Sequence, residues 1–176
     1  MQNKTFNAIY IVGIFLILTL PLLVIPPYFS PADWGKSIVF RSILAILLFI
    51  FVLRLFYRKD SLNLLDIKKN KIVWVLIMLF VAILLSTLFS QDINFSLWGS
   101  PYRAQGAVNF FFYIAFAILS FLIIKPSDWN KVLNTSIFVG ILVCAIAIIQ
   151  FYGLFSDVFF STLNRPPSTM GNPIIL

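Results

Sequence analysis

Long apolar runs separated by short polar, turn-rich segments set the pattern of this chain. Five runs reach the roughly 20 residues that a bilayer core demands of a helix: residues 6–25, 38–56, 72–88, 107–124 and 132–151. The first is too long and lacks the small-residue cleavage site of a removed signal peptide, so it reads as a span. Pro21 is expected to kink its far end, and Pro26 and Pro27 to end it. After the fifth run comes NRPPSTMGNP at 164–173, and Ile174, Ile175 and Leu176 then open a new apolar run. The pattern predicts an all-α integral membrane protein: five transmembrane helices, the start of a sixth near residue 173, and no soluble domain. It also predicts that residues 1–176 are the N-terminal part of a larger polytopic bundle.

Composition agrees with that class. Apolar residues make up 61% and charged residues 11%, against roughly half and a quarter in soluble domains. Glutamate and histidine are absent and Cys144 is the single cysteine. Within these residues that excludes an internal disulfide, a zinc site and a Ser-His-Asp triad, and no metal or cofactor is expected. Cys144, in an apolar run, reads as a small membrane-buried hydrophobe.

The net charge of +7 raises the question of nucleic acid, and the distribution of the charge answers it. With the N-terminus inside, Lys4, the loop cations Arg54, Arg58, Lys59, Lys68, Lys69 and Lys71, and then Lys125 and Lys131 all fall on the inner side. Only Lys36, Arg41, Arg103 and Arg165 fall outside. By the positive-inside rule the N-terminus is cytoplasmic, with the loop YRKDSLNLLDIKKNK as main anchor. The same loop suits anionic lipid, although a topology determinant is the simpler assignment, and no nucleic-acid partner is expected. Trp34, Trp74, Trp98 and Trp129 stand at or just beyond run ends, where indole bridges apolar and polar surroundings. No two glycines stand four apart, so a GxxxG helix pair is not indicated.

The middles of the runs carry no ionisable residue. Arg41 and Arg54 lie near opposite ends of the second run and can snorkel, while Asn109, Asn134 and Gln150 lie near run ends, where packing or water satisfies them. Polar chemistry is therefore expected from the part beyond these residues or from the outer loops, SQDINFSLWGSPYRAQG at 90–106 and the segment 152–173. Each holds one arginine, Arg103 and Arg165 respectively. Gly99, Pro101 and Gly106 in the first, and Pro166, Pro167, Gly171 and Pro173 in the second, allow tight folding back onto the bilayer. Such backbone is tolerated at membrane depth where protein or a watery cavity satisfies it. The guanidinium fork binds phosphate bidentately and keeps its charge, so two arginines at headgroup level could hold the diphosphate of a lipid-linked substrate. The competing assignment is contact with lipid phosphate, or with Asp92 or Asp157. Neither loop matches a glycine-rich nucleotide-binding pattern.

Taken together, WGSPYRAQG and RPPSTMGNP resemble the corresponding loops of the bacterial O-antigen ligase and polymerase family. The resemblance extends along the whole chain in hydropathy and rests on these two short motifs in residue detail. One departure is that Ile174 and Ile175 follow Asn172 and Pro173, where the family commonly has a second asparagine and small residues. The resemblance implies a metal-independent, cofactor-independent glycosyltransferase of the bacterial plasma (inner) membrane, acting in lipopolysaccharide and cell-envelope synthesis. Such an enzyme moves a glycan from a polyprenyl diphosphate to an acceptor at the outer face: a lipid A core, a protein or another glycan chain. It further implies that Arg165 and Arg103 contact the donor diphosphate or its glycan, with Gln105, Ser168, Thr169 and Asn172 as sugar-binding candidates. The catalytic base is expected in a large periplasmic loop nearer the C-terminus, so residues 1–176 alone are expected to be inactive. Two alternatives stand beside this reading. A transporter or flippase for a lipid-linked sugar predicts broken or polar helices around a central path; a membrane scaffold needs only the spans and their anchors.

Overall fold

The computed structural model describes residues 2–23, 32–57, 71–99, 106–152 and Thr169. Among the described residues the regular structure is entirely helical: α1 (Gln2–Thr19), α2 (Ala32–Tyr57), α3 (Lys71–Leu88), the short α4 (Ile93–Trp98), α5 (Ala107–Ile123) and α6 (Trp129–Phe151). These runs are rich in β-branched residues that elsewhere favour strands. In a bilayer, however, a lone segment satisfies its own N–H and C=O groups only as a helix.

Three stretches are long and apolar enough to cross a membrane, Gly35–Phe56, Lys71–Leu88 and Pro126–Phe151. Phe6–Leu22 and Ala107–Ile123 are apolar but shorter. The helix ends follow local chemistry. Pro21 has no N–H for the next helical hydrogen bond, and the α-helix stops at Thr19 instead of kinking; a 3₁₀ turn, Leu20–Leu22, follows. Its last bond runs from Leu23 N to Leu20 O at 3.0 Å. Pro26 and Pro27 lie outside the described residues. At the other end of the bundle, Pro126 opens a second 3₁₀ turn, Pro126–Asp128, that leads straight into α6.

Spatial order differs from chain order. α5 packs against α3 on one side and against α2 and α1 on the other, and α6 packs on α1 and the turn that follows it. The core lies where α1, α2 and α5 meet: Tyr10, Ile17 and Leu20 interlock with Phe40, Leu44 and Leu47 and with Leu119 and Ile123. Gly13 makes the close approach of α1 to α2 possible, because a Cβ there would stand 2.7 Å from a methyl group of Leu47. The outer helices leave large apolar side chains uncovered, among them Val75 and Met78 on α3 and Ile137 and Ile141 on α6. Such faces suit lipid or further protein.

Candidate functional site

One end of the bundle gathers the turn after α1, the first turns of α2 and α5, and the short helix α4. Two cations of α2 lie there, each half-buried, and neither is placed as a free-swinging surface charge.

Lys36 sits near the N-terminus of its own helix, where the macrodipole disfavours a cation. It is compensated by two backbone carbonyls, one in the turn after α1 and one at Thr169. Its Nζ donates to Pro21 O at 3.2 Å and to Thr169 O at 2.5 Å. Thr169 is itself buried, 3% exposed, and its Oγ1 donates to Pro21 O at 2.6 Å. The Pro21 carbonyl thus accepts from both residues, using the two lone pairs a carbonyl offers. Through this small knot Thr169 is fastened to α2 and to the turn after α1.

Arg41 is turned inward. Its Nε donates to Asn109 Oδ1 at 3.1 Å, and Asn109 Nδ2 donates to Tyr113 Oη at 2.9 Å. The guanidinium carbon stands 5.9 Å from the centroid of the Phe112 ring, within range of a cation–π attraction. Tyr113 in turn lies against Phe40, ring centroids 5.3 Å apart. Asn109, only 2% exposed, accordingly spends its amide on a charged partner from another helix. An arginine near a run end reads from sequence as snorkelling; here it bridges α2 and α5. The signal that could have paired them is that Arg41 and Asn109 are polar residues placed at the same predicted depth on two separate runs.

The loop after α3 holds a helix that the turn-rich sequence did not suggest. Asp92 caps it, its carboxylate accepting from Phe95 N at 2.9 Å, which is the usual work of an aspartate at a helix start. That carboxylate, one of the alternative partners considered for Arg103, is therefore engaged locally. α4 ends at Gly99, with φ 74° and ψ −173°, a region nearly closed to any residue with a Cβ. Gly106, the N-cap of α5, lies flat against this end: a Cβ there would be 2.1 Å from Leu97 O and 2.5 Å from Gly99 N. The two glycines expected to fold the loop back are thus in contact. Trp98 projects from α4, 62% exposed.

Of the six residues singled out from sequence, Thr169 is described, and its hydroxyl proton goes to Pro21. Arg103, Gln105, Arg165, Ser168 and Asn172 lie outside the described residues. Among the described residues no cluster of histidine, cysteine, aspartate or glutamate suits a metal ion. Comparison of the chain with protein families, with characterised proteins and with solved structures finds no match.

Proposed function

We propose that this chain belongs to a glycosyltransferase of the O-antigen ligase or polymerase type, crossing the bacterial plasma membrane five times or more with its N-terminus in the cytoplasm. The observation that carries the reading is the fastening of Thr169 to Lys36 and Pro21. Thr169 belongs to the RPPSTMGNP motif, and the turn it joins lies at the bundle end where Gly106 precedes α5 and Arg41 meets that helix. In sequence Arg165 stands four residues before Thr169, and Arg103 three before Gly106.

The chemistry follows from charge. An acceptor hydroxyl oxygen attacks the anomeric carbon, the bond from that carbon to the diphosphate oxygen breaks, and the electron pair leaves with the polyprenyl diphosphate. Arginines beside the departing oxygens stabilise the charge as it builds up, and a general base takes the acceptor proton. Arg165 is assigned the donor diphosphate, Arg103 the diphosphate or the first sugar, and Gln105, Ser168 and Asn172 the sugar hydroxyls, while Thr169, buried and bonded to Pro21, serves as an anchor. No residue among these 176 is assigned the base.

The test is Arg165→Ala in the intact natural protein, returned to cells that lack it. Expected is a loss of glycan transfer with accumulation of the lipid-linked glycan, while the amount of protein in the membrane stays constant. Unchanged transfer by a normally inserted variant removes Arg165 from the site.

A further inference from the structure

The short helix α4 is held at both ends at one level of the bundle. At its start the chain leaves α3 through tight turns, Phe89 N donating to Leu85 O at 3.1 Å and Ser90 N to Thr87 O at 3.3 Å, and Asp92 then caps the new helix. At its finish Leu97 and Gly99 lie against Gly106, from which α5 begins. α3 and α5 are packed neighbours, and the axes of packed helices stand about 8–10 Å apart. Six residues of helix rise about 9 Å, so α4 has the length of the step from the end of one helix to the start of the other.

Depth follows from α3. Lys71–Leu88 is long and apolar enough to cross a membrane, and its 18 residues rise about 27 Å, close to the thickness of a hydrocarbon core. The residues directly after Leu88 therefore fall at the boundary between acyl chains and headgroups. The uncovered apolar surface of α3 runs on into this stretch: Leu85 is 49% exposed, Leu88 64% and Phe89 87%. On α4, Phe95 and Trp98 stand three apart and share one face, 59% and 62% exposed, while Leu97, turned away from that pair, is half-buried. Asp92 is the one charged residue from 89 to 99, and its carboxylate is engaged with Phe95 N. Gln91 and Asn94 are exposed beside the rings, a mixture suited to the membrane boundary and ill suited to water or acyl chains alone.

We propose that α4 is an interfacial helix, with Phe89, Phe95 and Trp98 inserted at the headgroup–acyl boundary of the leaflet that meets the C-terminal end of α3. The partner is the lipid surface itself, specified by the depth at which α3 delivers the chain and by the continuity of the aromatic ridge with the uncovered face of that helix. The inference rests on α3 crossing the bilayer and is independent of the glycosyltransferase reading. It is also independent of which side of the membrane that leaflet faces.

The experiment is depth-dependent fluorescence quenching of the intact natural protein in phosphatidylcholine vesicles. A fluorescent amino acid is encoded at position 98 by stop-codon suppression, and in separate preparations at 95 or 89, so that the test survives if one replacement fails to fold. Lipid brominated near the headgroup, at carbons 6 and 7, should quench each probe at least twofold more strongly than lipid brominated at carbons 11 and 12, and aqueous iodide should quench little. A probe at Ile141, 60% exposed near the middle of α6, should show the reverse order of the two lipids. Strong quenching by iodide without quenching by either lipid puts the ridge in water and overturns the proposal. Stronger quenching from carbons 11 and 12 at positions 95 and 98 overturns the interfacial depth. Protection from all three quenchers overturns the lipid partner and gives the ridge to another part of the protein.

Discussion

The Nε of Arg41 and the Oδ1 of Asn109 meet at 3.1 Å, joining α2 to α5 through a side chain that is almost wholly buried. Replacing Asn109 by leucine leaves the Nε of Arg41 facing a hydrocarbon and deprives Tyr113 of its donor. The expected cost is about 1–3 kcal/mol, the penalty for stranding buried polar groups, seen as a lowered midpoint of thermal unfolding in detergent. Asn134→Leu, at an exposed position of α6, should change stability by no more than about 0.5 kcal/mol. Equal midpoints for the two variants would show that the Arg41–Asn109 bond contributes nothing.

Gly106 and Gly140 should respond in opposite directions to the same change. A methyl group at Gly106 collides with backbone atoms of Leu97 and Trp98 at 2.1 and 2.4 Å, whereas one at Gly140 meets nothing within 4 Å. Gly106→Ala must push α4 away from the start of α5, and should increase protease cleavage in the loop between Gly99 and Gly106. Gly140→Ala, inside a helix, should raise stability by about 0.5–1 kcal/mol. The comparison needs limited proteolysis and a melting curve for each variant; a silent Gly106→Ala would contradict the contact.

The core prediction separates packing from simple apolarity. Leu44 is 0% exposed and Ile137 is 61% exposed, yet both are large aliphatics on helices of similar character. Lipid is as apolar as a leucine side chain, so in a bilayer the difference is the cavity left behind and its lost dispersion contacts. Leu44→Ala should destabilise by about 2 kcal/mol or more, and Ile137→Ala by well under 1 kcal/mol. Unfolding in bilayer-like nanodiscs checks both.

Orientation is tested without reference to catalysis. A reporter fused after Asn164 should lie on the outer side and one fused after Asn63 on the cytoplasmic side. The reverse pattern would move Arg103 and Arg165 away from the outer face that the proposed glycan transfer requires. In cells, Arg103→Ala should reduce glycan transfer less than Arg165→Ala does, and the opposite ranking would reverse their assigned roles.

Helix positions were largely legible because a run of apolar residues bounded by Lys71, Trp129 or a proline leaves the backbone few choices. Neighbour relations were not. α3 and α6 are apolar on nearly every face, so no polar stripe marks the side that packs on α5 or α1. α4 was missed because Asp92 looks like a turn former until its carboxylate is seen capping Phe95. The candidate site was legible as a pair of loops and illegible as a knot. Lys36 reads as a stray outer cation, and only the fold brings it to Pro21 and Thr169, far away in the chain. Arg41 was similarly set aside, since a long side chain near a run end has an easy route to water and sequence does not reveal that Asn109 offers a better one.

The packing of α6 on α1 has a consequence for the order in which the molecule is made. Of the described helices α1 leaves the ribosome first, and its neighbour α6 is encoded beyond four others. At roughly 5–20 residues per second, the stretch from Thr19 to Trp129 takes on the order of ten seconds to synthesise. During that interval the face of α1 later covered by α6 must be held by lipid or by the insertion machinery. Thr169 arrives later still, so the Lys36 knot can tie only after α6 is in place.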